Sequence, residues 1–167
     1  GVVAQPFSAF GLSPVHLRPD GRGTVRLKSA DPLAAPEIRF NFLKTASDWD
    51  AMLKGMAICR EIGKQAALKP FVVEEIMPGA SVTEEGALRD YLRETGVSNL
   101  HPVGTCRMGR EPDAVVDPQL RVHGIAGLRV ADASIMPSIV AGNTNAPSIM
   151  IGEKCADMVR AAATQAA

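Results

Sequence analysis

The sequence predicts an α+β fold: an antiparallel sheet of about five or six strands with helices packed on one face, followed by a C-terminal strand and helix. Three observations carry this. The front of the chain alternates polar and apolar residues between turn signals, the middle places apolar residues at helical spacing, and the tail runs from a strand into a second helical stripe. At 167 residues the chain is long enough for a core, since folding at about this size hides roughly 70% of the unfolded surface.

In the front, residues 13–17 are apolar-biased and Arg22-Gly23-Thr24-Val25-Arg26-Leu27 alternates. Between them Pro19-Asp20-Gly21 is turn chemistry, with proline presetting φ and Asp-Gly supplying a positive-φ position, so a hairpin is expected. Asp31-Pro32 and Ala35-Pro36 then punctuate the chain, and residues 37–42 alternate again as a third strand.

Ser47 followed by Asp50 is an S-x-x-D helix start. Trp49, Met52, Leu53, Met56, Cys59 and Gly63 recur at helical spacing to about residue 67, which reads as a core-facing stripe with Cys59 a buried small hydrophobe. A short strand is expected over residues 71–76. Thr83 is the expected cap of a second helix, with Glu84 and Glu85 in its first turn, Leu88, Tyr91 and Leu92 inside, and Gly96 ending it.

The tail opens with short extended pieces at 115–118 and 120–122, then a turn at 124–127 and a strand at 128–131 that runs into Asp132-Ala133-Ser134. Pro147 is expected at the first position of a last helix, where its missing N–H costs nothing. Ile151, Cys155, Met158 and Val159 continue that helix toward an alanine-rich end expected to fray.

Composition narrows the function classes. Hydrophobic residues make up 46% and charged residues 22%, a globular balance. Lysine plus arginine equals aspartate plus glutamate at 18 each, which argues against nucleic-acid or anionic-membrane partners, since these need a clustered basic excess. No run reaches the roughly 18 apolar residues that span a bilayer, and no secretory leader is visible. Cys59, Cys106 and Cys155 are odd in number and far apart. They predict neither a disulfide framework nor a structural zinc site, and the default compartment is a reducing cytoplasm. The chain begins at Gly1 rather than methionine, which suggests a processed product or a piece of something longer.

Two segments concentrate chemistry. One is His101-Pro102-Val103-Gly104-Thr105-Cys106-Arg107-Met108-Gly109. Proline after His101 forces an extended backbone there, and imidazole is the usual general base near neutral pH. A single loop histidine is more often structural or solvated, so this signal does not decide alone. The other is Gly142-Asn143-Thr144-Asn145-Ala146-Pro147, ahead of the last helix. A helix start offers unpaired N–H groups and a positive field, and two asparagine amides add donors, so an anion or a developing negative charge is stabilised there. An ordinary asparagine-capped helix explains the same residues. Asp132 ends a strand, the place where ligands gather in α/β sheets, yet it also serves as a plain turn residue. No G-x-S-x-G elbow, phosphate-binding glycine loop or zinc-ligand spacing is present, and His16, His123 and Met108 read as structural.

Four stretches in order, His101 to Gly109, Asp117 to Val122, Gly127 to Pro137 and Gly142 to Pro147, resemble the C-terminal signature of the glucose–methanol–choline (GMC) flavoprotein oxidoreductases, nearest to the choline dehydrogenase-like alcohol dehydrogenases. The front, Arg22 to Pro32, resembles that family's entry to the substrate domain. The resemblance implies FAD as cofactor, a small alcohol as substrate and oxidation to an aldehyde or ketone by hydride transfer. It maps the active-site histidine onto His101 and the second catalytic position onto Asn143. It assigns Asp132, Ala133, Asn143, Thr144 and Asn145 to flavin contacts, and no residue to a metal.

The family's N-terminal G-x-G-x-x-G fold has no counterpart in these residues. The resemblance therefore implies a C-terminal fragment. Residues 1–100 would belong to the substrate-binding domain, and residues 101–167 to an active-site segment whose strand and helix complete the FAD-binding domain. Its partners would be the alcohol and the N-terminal FAD domain, and the isolated fragment would be flavin-free, inactive and able to form a homodimer. The alternative is a free-standing binding module that keeps the fold without catalysis.

Overall fold

The computed structural model describes residues 6–166, which form two compact units. One comprises the chain through Arg22 together with Asn41–Asn99; the other comprises Gly23–Phe40 and the chain from Leu100 onward.

The first unit is built on helix α1, Ala46–Gly63, and helix α2, Glu85–Thr95. The N-cap of α1 is Thr45, two residues before the expected Ser47. Thr45 and Asp48 form the capping box: the Asp48 N–H donates to Thr45 Oγ1 (3.1 Å), and the Thr45 N–H donates to Asp48 Oδ2 (3.4 Å). Asp48 is only 2% exposed and also accepts from the Asp20 N–H (3.0 Å) and bonds His16 Nε2 (3.1 Å). Burial pushes its carboxyl up, but the bonds from Thr45, Asp20 and His16 outweigh burial and hold it below its ordinary value.

Trp49, Met56 and Leu92 are the buried centre of this unit, with Leu43, Met52, Leu53, Leu88 and Tyr91 around them. The Arg89 and Arg93 guanidinium groups lie 4.8 Å and 4.9 Å from the Trp49 ring centre. Arg60 binds the Glu75 carboxylate through Nε and Nη2, and its Nη2 also donates to the Gly79 and Val82 carbonyls, fastening the connecting segment to α1. Cys59 is half-buried rather than buried. Helix α2 has Glu84 at its N-cap rather than Thr83, with no side-chain cap bond. Gly96 ends α2 with φ −63°, so its glycine answers to space and not to a left-handed turn. A Cβ there would lie 2.5 Å from the Leu92 carbonyl oxygen.

In the second unit, β1 (Thr24–Arg26) and β2 (Glu37–Arg39) pair antiparallel in the register Thr24↔Arg39, Val25↔Ile38, Arg26↔Glu37. The core is Val116, Leu120, Ile135, Met136, Ile151 and Cys155. Helix α3, Asn145–Ala166, contributes Ile151 and Cys155 and packs on a 3-10 turn at Ala133–Ile135. The alanine-rich end is helical as far as Ala166. No helix among the described residues is long and apolar enough to cross a membrane.

The α+β class stands, with three α-helices and a small antiparallel sheet among the described residues. The five or six strands with helices on one face do not: the described residues hold one two-stranded sheet whose residues are all exposed. Asp48 is the reason at the front. It takes the Asp20 N–H, and Arg22 Nη1 donates to the Pro19, Asp20 and Gly21 carbonyls, so this turn closes on α1 and residues 13–17 stay unpaired. His16 consequently lies outside any strand. The strand expected at 71–76 is likewise absent: Phe71 ends a 3-10 turn, Lys69–Phe71, residues 72–75 pair with no strand, and Ile76 begins the next turn. In the tail, successive turns limit pairing to single bridges, Met108↔Val116, Val116↔Val122 and Arg121↔Arg129, and the strand expected at 128–131 is only the last of these.

Candidate functional site

The second unit gathers the segments that carry His101, Asp132 and Asn143. Leu100, just before His101, has φ +60°, and Pro102 follows it, so the backbone is restricted on both sides of the histidine. Gly104 turns the chain with φ +88°, and a Cβ on it would lie 3.2 Å from the Met136 carbonyl oxygen. From there the two motifs run side by side. The Cys106 N–H donates to the Ser134 carbonyl (3.0 Å) and the Met108 N–H to the Ile135 carbonyl (2.8 Å).

The side chain that ties His101 to α3 is Thr144. His101 Nδ1 and Thr144 Oγ1 are 3.0 Å apart, 43 residues distant in sequence. His101 and Thr144 are half-buried, while Asn143 and Asn145 are exposed. His101 Nε2 makes no hydrogen bond among the described residues. Helix α3 begins at Asn145, which makes Pro147 its third residue instead of its first. Proline costs no helix bond there either, since the first turn's N–H groups have no partner within the helix.

Asp132 is exposed and caps the 3-10 turn, its Oδ1 accepting from the Ser134 N–H at 2.7 Å. Ala133 is half-buried against the core. A nearby turn is set by Asp117, which accepts from the N–H groups of Gln119 (2.8 Å) and Arg121 (2.9 Å) and from Arg121 Nε (2.7 Å). It holds Leu120 at φ +65° with that side chain in the core. Burial pushes the Asp117 carboxyl up, but the Arg121 and Gln119 bonds outweigh it and hold it below its ordinary value. Arg107 pairs with Asp113 and lies 4.0 Å from Glu111. The hydrogen bond and charge of Arg107 lower the Asp113 carboxyl.

The fit of these residues to FAD rests on their donors. Exposed amides at Asn143 and Asn145 flank the unpaired N–H groups of the first turn of α3, and a Cβ on Gly142 would meet nothing within 4 Å. Such an open cluster of donors suits a group that gains negative charge on reduction. No three His, Cys, Asp or Glu side chains among the described residues are grouped to hold a metal ion. The structure thus brings His101 to Thr144, and the Asp132-Ala133 turn to the segment after His101. The reading from sequence missed the side-chain role of Thr144. Its available signal was a hydroxyl beside Asn143 with Pro147 three residues on.

A family model described as GMC oxidoreductase matches residues 19–152. An oxygen-dependent choline dehydrogenase of Pseudomonas fluorescens is 49% identical over 160 residues, covering 96% of this chain and 28% of the relative. Among solved structures, pyridoxine 4-oxidase from Mesorbium loti superposes with TM-score 0.80 at 33% identity, over 84% of this chain and 28% of that one. An FAD-dependent oxidoreductase from Chaetomium thermophilum gives TM-score 0.83 at 31% identity, over 89% of this chain and 26% of that one. The chain therefore spans little more than a quarter of the length of these relatives.

Proposed function

The chain belongs to the GMC oxidoreductase family, and from that membership we propose that it supplies the proton-accepting half of a site where an FAD-dependent enzyme oxidises a small alcohol to an aldehyde or ketone. The observation that carries the proposal is the 3.0 Å contact between His101 Nδ1 and Thr144 Oγ1. It sets the imidazole beside the start of α3, with Nε2 left for a substrate hydroxyl.

FAD, when bound, supplies an acceptor for the hydride released from the alcohol carbon. Within this chain, His101 Nε2 takes the hydroxyl proton, which raises electron density on that carbon and eases hydride departure. The Asn143 amide donates a hydrogen bond to the same oxygen. Thr144, Asn145 and the first-turn N–H groups of α3 would hold the flavin, and their donors would favour its reduced, negatively charged form. Asp132 and Ala133 would help to hold the flavin nucleotide, with the Asp132 carboxylate as a hydrogen-bond acceptor.

In the enzyme, residues 1–100 serve the substrate side and residues 101–167 complete the flavin side. The open edges of the β1–β2 hairpin join a larger sheet whose other strands lie outside these residues. Most flavin contacts come from that further length, so this chain alone holds flavin weakly and self-associates through exposed apolar surface. Three free cysteines suit a reducing cytoplasm. The test is anaerobic mixing of the flavin-loaded full-length enzyme with choline and other small alcohols. Loss of the flavin's visible absorbance on mixing supports the proposal. Flavin that stays oxidised with every alcohol, while reducible by dithionite, contradicts it.

A further inference from the structure

We propose that Thr144 is a positioning residue that fixes the tautomer of His101, accepting a hydrogen bond from the Nδ1 proton so that Nε2 carries the lone pair. The proposal rests on the reading of His101 as a base, and deepens it.

Neutral imidazole has one donor nitrogen and one acceptor nitrogen, and the partner of one nitrogen dictates the state of the other. Of the two, Nδ1 has the partner: Thr144 Oγ1 at 3.0 Å. A hydroxyl can donate or accept, so the contact permits two states. If Thr144 donates, Nε2 bears the proton and cannot receive another from an alcohol while the ring stays neutral. If Thr144 accepts, Nε2 is a ready base.

Local structure frees this hydroxyl for the task. A threonine just before a helix ordinarily turns its oxygen back to accept from the N–H of the second or third helical residue. Here the third is Pro147, which has no N–H, and the second, Ala146, makes no bond to the Thr144 hydroxyl. Among the described residues, Thr144 Oγ1 bonds only His101. Its backbone is pinned by its own carbonyl, which accepts from the Ser148 N–H (3.0 Å) and from Ser148 Oγ (2.6 Å). A β-branched side chain on a pinned backbone has few χ1 choices. The histidine is restrained in turn by Leu100 and Pro102.

The experiment is nitrogen NMR on the chain labelled with ¹⁵N in its three histidines, recorded where the rings are neutral. His16→Gln and His123→Gln variants assign the His101 signals. The expected spectrum has His101 protonated at Nδ1, and Thr144→Val moves the proton to Nε2, the tautomer that free histidine prefers. Thr144→Ser keeps it at Nδ1, which separates hydroxyl chemistry from packing. A wild-type ring protonated at Nε2, or a tautomer unchanged in Thr144→Val, overturns the proposal. The readout needs neither flavin nor turnover. Loss of turnover in His101→Ala with an unchanged tautomer in Thr144→Val rejects the positioning role alone. A Thr144-dependent tautomer with normal turnover in His101→Ala rejects the base alone.

Discussion

Asp48 and Thr45 cap α1 reciprocally, each accepting from the other's backbone N–H. The same carboxylate holds the Asp20 N–H and His16 Nε2. Asp48→Ala removes the returning half of the capping box, while Thr45 Oγ1 still accepts from the N–H of residue 48, and it leaves the Thr45 and Asp20 N–H groups and His16 Nε2 without that partner. Stranded buried groups cost roughly 1–3 kcal/mol. Urea unfolding should show a loss of about 1–3 kcal/mol. A loss within error of zero would mean that water replaces these bonds freely.

Acid should destabilise the fold through Asp48 and Asp117. Both carboxyls are held below their ordinary value when folded. Their contribution is therefore complete above the unfolded carboxylate value of about 3.9 and disappears as pH falls through the lower folded values. The urea midpoint should fall on acidification below about pH 4. Asp117→Asn should flatten part of that fall, and an unchanged acid slope would count against the Arg121 and Gln119 bonds.

Trp49 centres the first unit's core beneath Arg89 and Arg93. Trp49→Ala should cost about 3–5 kcal/mol. Arg93→Ala, with Arg89 still over the ring, should cost no more than about 1 kcal/mol. Denaturant midpoints of the two variants give the comparison; equal losses would make the cation–ring contacts the larger share.

Gly104 combines φ +88° with a 3.2 Å approach of its would-be Cβ to the Met136 carbonyl oxygen. Gly104→Ala meets both obstacles. The left-handed conformation alone costs about 1–2 kcal/mol for a residue with a Cβ. Thermal unfolding should show at least that loss, and amide exchange should quicken at Cys106 and Met108, which bond the facing carbonyls. Unchanged exchange would show that the pairing absorbs the extra methyl.

The helices were readable from sequence because their signals are local. Trp49, Met52, Leu53 and Met56 lie on one stripe, and Leu88, Tyr91 and Leu92 on another. Their starts were not, since Thr45-x-x-Asp48 and Ser47-x-x-Asp50 both satisfy the capping pattern. Contacts from His16 and Asp20, remote in sequence, select the first. Pro147 was misplaced by two positions because proline is equally tolerated through the first turn. The sheet was over-read because a short apolar-rich run suggests an extended segment and says nothing of its partner, as residues 13–17 and 128–131 illustrate. At the site, physics singled out the His101 segment and the start of α3 separately, and the family resemblance joined them. The Thr144 contact across 43 residues needed the structure.

The central claim is that His101 accepts the substrate proton, and the rate of alcohol-driven flavin reduction tests it most directly. In the flavin-loaded full-length enzyme, His101→Ala should lower that rate by about 10²–10⁴-fold with the flavin retained. The deficit should narrow at alkaline pH, where hydroxide takes up part of the proton transfer. His123→Ala, whose exposed ring only approaches the Gly109 carbonyl at 3.4 Å, should reduce flavin at the parent rate. Near-parental flavin reduction in His101→Ala, with a full flavin complement, would contradict the claim and leave His101 a residue that orders its loop.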